Sequence, residues 1–355
     1  MKKFAVIMAG GIGARFWPRS REKSPKQLLK IIGENSMIAD TINRLSGMVE
    51  NENIFIVTNR LHKAEICKQL PQIPIENIIE EPFGRNTAPC IGLAALFVQR
   101  IEKDGVMIVL PADHLITDND VFLENINQAV ENAYSKKGLV TIGILPTRPE
   151  TGYGYIQIDD RGLGNNLFKV YTFAEKPNYA TAVRFIESGD FLWNSGMFVW
   201  RADTILNEIQ IHMPELFGGL MQIKNSIGTS DFDNTLLQIY GQLRSVSIDH
   251  GIMEKSQRVY LVKGNFSWSD VGSWEEVYLL SPKNDNNNSI QGKVYCESTF
   301  NSYIFSPEKF TAVIGMDNVI VINTEDATLV CKREMSQDVK KIVDHLKLNK
   351  MIDYL

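Results

Sequence analysis

The sequence predicts an α/β protein: a Rossmann-like, mostly parallel mixed sheet flanked by helices, followed by a small β-rich, β-helix-like C-terminal domain. Three observations support this prediction. Short runs rich in Val and Ile alternate with stretches of helical spacing, a glycine-rich turn directly follows the first run, and the composition changes after Leu280. The chain has 355 residues, of which 44% are hydrophobic and 22% charged, so it can bury one large core and a smaller one.

The apolar runs are expected to be buried strands because most of them are apolar throughout, without alternation. These expected strands are residues 3–8, 54–58, 106–110, 139–144 and 196–200. The stretches between them have helical periodicity, and several begin with a capping residue such as Ser36 or Asn178. The expected helices are residues 36–49, 61–70, 88–102, 121–134 and 179–188.

A polar segment, residues 281–289, contains Pro282 and three consecutive asparagines and is typical of a linker. It predicts a catalytic domain over 1–280 and a β-rich domain over 281–355. Within the second domain, residues 292–331 are strand-like and residues 336–348 form an amphipathic closing helix. Because this segment holds no group of convergent polar residues, it is expected to serve packing or oligomerisation.

Composition also limits the function. The chain has 37 basic and 42 acidic residues, a net charge of −5, which argues against a dedicated nucleic-acid binder. No apolar run approaches the roughly 20 residues that a membrane helix needs. The four cysteines are widely spaced and form no C-x-x-C pair, so neither a zinc site nor a disulfide scaffold is indicated. We therefore expect a cytoplasmic protein.

The turn after the first expected strand contains Gly10, Gly11 and Gly13 and is a candidate phosphate-binding loop. Glycines let backbone N–H groups approach an anion closely. The loop is not a Walker A motif, because no Gly-Lys-Ser/Thr follows, and Phe16 stands where a dinucleotide-binding loop has its third glycine. A tight structural turn would explain the glycines equally well.

Basic residues crowd into the segment that follows this loop. They are Arg15, Arg19, Arg21, Lys23 and Lys26. Like charges this close repel one another unless an anion binds among them. We therefore expect a polyphosphate ligand, with Arg15 and Lys26 as the best donors to its oxygens. A solvated charged surface is the alternative.

Two aspartates are candidate ligands of Mg²⁺. Asp113 follows the expected strand 106–110, and ligands of open α/β sheets bind at the carboxyl ends of strands. Asp270 lies between apolar anchors in residues 266–274. A structural turn and a helix cap are the respective alternatives. Mg²⁺ is usually held by one or two carboxylates together with substrate phosphates, so this pair would suffice if the fold brings it together.

Further candidate binding residues each have a structural alternative. Arg85, Asn86, Thr87 and Ala88 precede an expected helix, where Asn86 or Thr87 could simply be its cap. The remaining candidates are Gly152 and Gly154 in an aromatic turn, Glu175 and Lys176 before a helix, and Asn194 before a strand. A hairpin turn, a surface ion pair and a strand cap are the alternatives for these three groups.

The run Gly10-Gly11-x-Gly13-x-Arg15-Phe16-Trp17-Pro18-x-Ser20-Arg21, followed by Pro25-Lys26-Gln27, resembles the signature of the sugar-1-phosphate nucleotidyltransferases. Within that superfamily, Trp17-Pro18 and Pro25-Lys26-Gln27 are most similar to the corresponding residues of the mannose-1-phosphate guanylyltransferases. Ile12 departs from the pattern because relatives often have a polar side chain there. The resemblance implies the nucleotidyltransferase fold and the convergence of Asp113 and Asp270 on Mg²⁺.

The same resemblance assigns roles to the other candidates. It places Arg85, Asn86, Thr87 and Ala88 beside the guanine nucleotide. It assigns Glu175 and Asn194 to sugar hydroxyls, Lys176 to the sugar phosphate, and Gly152 and Gly154 to backbone contacts. Residues 248–255 also match a family stretch but depart from it at His250 and Gly251, and this stretch is expected to be structural.

The implied activity converts GTP and α-D-mannose 1-phosphate to GDP-mannose and diphosphate, with Mg²⁺ and without a protein nucleophile. Larger relatives carry a phosphomannose isomerase domain after this point, so a single activity is expected of these 355 residues. We also expect a homodimer. Three alternatives remain open: a guanylyltransferase for another sugar such as a heptose, a non-catalytic nucleotide-sugar sensor, and a nicotinamide-dependent oxidoreductase, which the missing third glycine disfavours.

Overall fold

A computed structural model describes residues 1–355 and places a nine-stranded sheet at the centre of the protein. Eleven strands precede the C-terminal region. They are β1 (Lys3–Met8), β2 (Ile54–Asn59), β3 (Ile78–Glu81), β4 (Val106–Pro111), β5 (Leu115–Ile116), β6 (Leu139–Ile144), β7 (Tyr155–Ile158), β8 (Leu167–Ala174), β9 (Phe191–Arg201), β10 (Val259–Gly264) and β11 (Trp268–Ser269). The central sheet has the order β3-β2-β1-β4-β9-β6-β10-β8-β7, and β5 pairs separately with β11.

The central sheet is mixed, as expected. Strands β3, β2, β1 and β4 are mutually parallel, and β6 is parallel to β10. Strand β9 is inserted between β4 and β6 and is antiparallel to both. The expected strand 196–200 lies inside this longer β9. Its direction could not be predicted because an apolar run is the same for a parallel and an antiparallel buried strand.

Nine helices surround the sheet. They are α1 (Met37–Asn43), α2 (Lys63–Gln69), α3 (Thr87–Ile101), α4 (Asn119–Lys136), α5 (Tyr179–Ser188), α6 (Ala202–His212), α7 (Pro214–Ser226), α8 (Phe232–Gln242) and α9 (Trp274–Leu280). The five expected helices correspond to α1–α5, but α1 ends six residues before the predicted end at 49, where turns and Gly47 at φ 79° follow.

Both faces of the sheet are buried. One hydrophobic cluster of 36 buried residues covers one face, and a second cluster of 33 covers the other. This two-sided burial is the physical reason why the strands of the sheet lack polar alternation. It leaves the strand ends, where loops emerge, as the places for polar chemistry.

The C-terminal region adds strands β12 (Ser289–Glu297), β13 (Tyr303–Ile314), β14 (Val319–Asn323) and β15 (Thr328–Lys332), followed by helix α10 (Lys340–Leu348). Strands β12, β13 and β14 are parallel, and β15 is antiparallel to β14. The expected β-rich tail and closing helix are therefore present. None of the helices of the protein is both long and apolar enough to cross a lipid bilayer.

The C-terminal strands share one core with the segment that follows the glycine loop. In this core Phe16 and Trp17 pack with Trp274 of α9 and with Tyr303 and Ile320 of the β-rich domain. The indole of Trp17 donates to the carbonyl of Tyr354 at 3.0 Å. The β-rich domain thus supports the candidate phosphate-binding region directly, which the sequence did not indicate.

Candidate active site

A cleft of about 500 Å³ opens beside the carboxyl ends of the central parallel strands. Most of the candidate residues line it, namely Gly10, Gly11, Arg85, Asn86, Thr87, Gly152, Gly154, Glu175, Lys176, Asn194 and Asp270. Five candidates lie outside its lining, namely Gly13, Arg15, Lys26, Ala88 and Asp113. The fold therefore brings the nucleotide-side and sugar-side candidates to one cavity together with Asp270, and Lys26 connects Asp270 to Asp113.

The glycine loop is held in shape by the Pro25-Lys26-Gln27 run. The amide of Gln27 donates to the carbonyls of Ala9 and Gly11 at 2.8 and 2.9 Å. Gly13 has φ 73°, and a Cβ there would overlap the Cβ of Lys26, so only glycine fits. The shape of the loop therefore requires glycine at position 13, whereas Gly10 and Gly11 line the cleft.

Lys26 joins the two candidate metal ligands. Its buried ammonium donates to Asp113 Oδ2 at 2.8 Å, to the carbonyl of Asp113 at 3.0 Å and to the carbonyl of Asp270 at 2.6 Å. An ammonium has three donors, so all of them are used. A contact between Lys26 and a phosphate would require one of these bonds to be exchanged.

The charge of Lys26 also sets the ionisation of Asp113. Burial is the largest single influence and works against the charged carboxyl of Asp113. The attraction of the adjacent ammonium and the hydrogen bonds to the carboxyl together outweigh burial and hold the pKa of Asp113 below its usual value. Burial and the neighbouring carboxylate of Glu276 act in the opposite direction on Asp270 and raise its pKa. The two aspartates therefore differ in their affinity for a proton.

Asp270 is oriented by residues that sequence reasoning missed. Tyr153 donates from Oη to Asp270 Oδ1 at 2.7 Å, and the same hydroxyl lies 3.3 Å from Glu276 Oε1.

The indole of Trp268 donates to Nδ1 of His114 at 3.2 Å, so the ring of neutral His114 carries its proton on Nε2. Burial lowers the pKa of His114, which favours this neutral form.

Three nucleotide-side candidates, Arg85, Asn86 and Thr87, line the cleft, but their side chains are largely engaged with the protein. The guanidinium of Arg85 donates to the carbonyls of Tyr240 and Gly241, both at 2.9 Å. Asn86 Oδ1 accepts from the N–H of Thr87 at 2.8 Å and so caps α3, the alternative noted from its position. Ala88 is buried in the first turn of α3.

Glu81 is a cleft residue that sequence reasoning missed. It ends β3, lines the cleft, and is 5% exposed. Tyr240 donates from Oη to Glu81 Oε1 at 3.2 Å, and burial raises the pKa of Glu81 to about 7. Asp113 was identified because a carboxylate at the carboxyl end of a strand is a candidate site residue, and Glu81 has the same position. It was missed because β3 has only four residues and was not predicted.

On the sugar side, Lys176 pairs with Glu175 Oε1 at 2.7 Å. A Cβ at Gly154 would lie 2.6 Å from Glu175 Oε2, so this glycine permits the close approach of the carboxylate. Asn194 donates from Nδ2 to Asp249 Oδ1 at 2.7 Å. Asp249 also lines the cleft, although its stretch was expected to be structural.

The basic segment does not act as one cluster. Arg21 pairs with Asp326 of the β-rich domain at 2.9 Å. The guanidinium of Arg19 lies 4.2 Å from the centre of the Phe305 ring and donates to the carbonyl of Lys30. Arg19 and Arg21 therefore join the two domains, and the polyphosphate site expected at Arg15 and Lys26 stays a prediction. Arg15 is exposed, and its guanidinium has no partner in the protein.

Comparison with known proteins identifies the family. The nucleotidyl transferase family profile matches residues 4–287, and the profile described as MannoseP isomerase/GMP-like beta-helix domain matches residues 294–346. A mannose-1-phosphate guanylyltransferase of Klebsiella pneumoniae is 42% identical over 358 residues, which cover 98% of this chain and 75% of the relative. The chain belongs to the mannose-1-phosphate guanylyltransferase family. It is therefore a nucleotidyltransferase.

Other relatives agree with this membership. A mannose-1-phosphate guanylyltransferase of Salmonella muenchen is 41% identical and covers 98% of this chain and 74% of its own length. The solved structure titled mannose-1-phosphate geranyltransferase, from Thermus thermophilus, has a TM-score of 0.87 at 31% identity, covering 98% of this chain and 100% of that chain. The fold expected from the sequence, a nucleotidyltransferase domain followed by a β-helix-like domain, is confirmed.

Proposed function

We propose that this nucleotidyltransferase transfers GMP from GTP to α-D-mannose 1-phosphate and releases diphosphate, with GDP-α-D-mannose as the product. One observation carries the proposal. A single cleft holds the glycine loop on one side, Glu175, Lys176 and Asn194 on the other, and Asp270 among them. The names of the relatives from Klebsiella pneumoniae and Salmonella muenchen support the choice of nucleotide and sugar.

In the proposed reaction an oxygen of the sugar phosphate attacks the α-phosphorus of GTP. The new O–P bond forms as the bond from the α-phosphorus to the bridging oxygen breaks in line, and diphosphate takes the electron pair. The protein contributes positioning and charge neutralisation and needs no nucleophile of its own. Backbone N–H groups of Gly10 and Gly11 would hold the triphosphate, and the unpaired guanidinium of Arg15 would donate to its oxygens.

Lys176 is the proposed partner of the sugar phosphate. Its side chain is 64% exposed, and its ammonium pairs only with the neighbouring Glu175. An exposed ion pair is weak, so a dianionic phosphate can take over the ammonium at small cost. Glu175 would then be free to accept a hydrogen bond from a sugar hydroxyl.

The donor set at Asp113 and Asp270 fits Mg²⁺. Each carboxylate has one oxygen, Asp113 Oδ1 and Asp270 Oδ2, that accepts no hydrogen bond from another residue, and Lys26 holds the two backbone segments together. No cluster of three or more metal-binding side chains occurs in the protein, so substrate phosphates and water would complete the coordination. Bound there, the ion would neutralise charge on the reacting phosphates.

The proposal is tested by measuring diphosphate release across a panel of nucleoside triphosphates and sugar 1-phosphates. We expect GTP with mannose 1-phosphate to give the highest kcat/KM, and Asp270→Ala to abolish the Mg²⁺-dependent turnover while the circular dichroism spectrum is unchanged. Asp285→Ala, in the exposed segment before β12, is the matched control. Preference for another sugar, such as a heptose 1-phosphate, would contradict the substrate assignment. The homodimer and the cytoplasmic setting stay predictions.

A further inference from the structure

Asp249 is a carboxylate of the cleft wall to which the proposed reaction gives no task. It begins a single π-helical turn, Asp249–Met253, and lines the cleft. Its Oδ1 accepts from Asn194 Nδ2 at 2.7 Å, whereas no other residue donates to its second oxygen. Because Asp249 lines the cleft, this second oxygen can accept a hydrogen bond from a ligand.

Asp249 also fixes the orientation of Asn194. The other side of the same amide, Asn194 Oδ1, accepts from the backbone N–H of Gly196 at 3.1 Å. These two bonds assign the oxygen and the nitrogen of the amide unambiguously. The second N–H of Asn194 therefore remains for a ligand acceptor, beside the free carboxylate oxygen of Asp249.

The surroundings indicate which ligand chemistry fits. Burial and the nearby negative charge of Glu175 raise the pKa of Asp249. Two carboxylates that face one cleft repel an anion, but each accepts a hydrogen bond from a neutral hydroxyl. Together with the amide of Asn194 they form a wall of acceptors and donors that suits the hydroxyls of a sugar ring rather than a phosphate.

We propose that Asp249 binds a ring hydroxyl of the sugar substrate through its free oxygen and positions Asn194 for a neighbouring hydroxyl. This inference rests on the proposed function, because it concerns the sugar end of the same cleft. It makes Asp249 a substrate-binding residue that contributes to the choice of sugar.

The test compares the wild type with Asp249→Asn on mannose 1-phosphate and on its monodeoxy analogues, in which one ring hydroxyl is replaced by hydrogen. The asparagine oxygen can still accept from Asn194, so the change removes mainly the charged acceptor. We expect kcat/KM for mannose 1-phosphate to fall about 10- to 100-fold, as for a lost hydrogen bond to a charged group, while the KM for GTP changes less than about twofold.

One analogue should distinguish a direct contact from a general disturbance. Removal of the hydroxyl that Asp249 binds should lower the kcat/KM of the wild type about tenfold or more. It should lower the kcat/KM of Asp249→Asn less than about threefold, because this variant has already lost the hydrogen-bond partner. Glu254→Gln is the matched control, since this carboxylate pairs with His250 at the protein surface on the same turn. It should leave all of these values unchanged.

Several outcomes would overturn the inference. If every analogue lowers kcat/KM equally in the wild type and in Asp249→Asn, Asp249 contacts no hydroxyl. An unchanged kcat/KM of Asp249→Asn for mannose 1-phosphate would lead to the same conclusion. If Asp249→Asn does not fold, Asp249→Ser is measured in the same way and judged by the same criterion. If the wild type prefers another sugar phosphate, the mannose assignment fails, and the deoxy analogues of the preferred sugar then test Asp249 separately.

Discussion

Replacing Glu81 by glutamine should make the folded protein more stable at alkaline pH than the wild type. Glu81 is buried at the end of β3, and burial raises its pKa to about 7 from an ordinary value of 4.5. Between these two pH values the folded state holds a proton that the unfolded state has released. The stability contributed by the protonated carboxyl is therefore fully present below about pH 4.5 and is lost as the pH rises through about 7.

The size of the effect follows from the difference between the two pKa values. One pH unit of pKa difference corresponds to about 1.4 kcal/mol, so the shift from 4.5 to about 7 amounts to about 3 kcal/mol in total. Most of it, about 2 to 3 kcal/mol, is expressed between about pH 5 and about pH 8. Glutamine has nearly the same shape as glutamate, can still accept from the hydroxyl of Tyr240, and does not ionise.

The assay is urea unfolding of the wild type and of Glu81→Gln at several pH values between about 5 and 8. The free energy of unfolding of the variant minus that of the wild type should rise by about 2 to 3 kcal/mol across this range. Glu80→Gln is the control, because Glu80 pairs with Lys63 at the surface, and such a pair contributes less than about 1 kcal/mol. A difference for Glu81→Gln that does not change with pH would refute the reasoning.

Three further substitutions test the network around the site. Lys26→Ala leaves three acceptors without their donor and should lower the free energy of unfolding by about 2 to 4 kcal/mol in urea denaturation and abolish turnover. Tyr153→Phe removes the hydrogen bond to Asp270 and should raise the dissociation constant for Mn²⁺, followed by electron paramagnetic resonance, about tenfold. Arg333→Ala breaks the bidentate pair with Glu275 of α9, at 2.7 and 2.6 Å, and should lower the free energy of unfolding by about 1 to 3 kcal/mol.

Each of these substitutions has a contradicting result. Normal turnover of Lys26→Ala would show that the link between the β4 end and the Asp270 segment is dispensable. Unchanged Mn²⁺ affinity in Tyr153→Phe would show that the orientation of Asp270 does not depend on the hydroxyl. Lys332→Ala, at an exposed pair with Glu334, is the control for Arg333→Ala, and equal effects of the two would remove the special role of Arg333.

Much of the fold follows from the sequence because the central strands are buried on both faces and the long helices are periodic. Strand β1 has the predicted bounds, Lys3–Met8, and helix α5 has the predicted bounds, Tyr179–Ser188. Helices α6, α7 and α8 and the short strand β3 were not predicted. Four residues are too few to show a periodicity, and the direction of β9 depends on partners elsewhere in the chain.

The candidate site was predictable where a local rule applies and not where distant residues meet. Asp113 was found from its place after a strand. The contact of Lys26 with the carbonyl of Asp270 joins residues 244 positions apart and was not predicted. The resemblance to the family implied only that Asp113 and Asp270 lie close together. The pair between Arg21 and Asp326 was not predicted, because Asp326 lies 305 positions away in the β-rich domain and no local pattern indicates it.

The central claim, that this cleft transfers a nucleotidyl group to a sugar phosphate, is tested most directly by following the label from GTP. The wild type, Asp270→Asn and the control Asp285→Asn are each incubated with mannose 1-phosphate, Mg²⁺ and GTP labelled with radioactive phosphorus at either the α or the γ position. The α label should appear in a nucleotide sugar and the γ label in diphosphate, for the wild type and the control alone. Transfer of the γ label to the sugar, or full transfer by Asp270→Asn, would contradict the account.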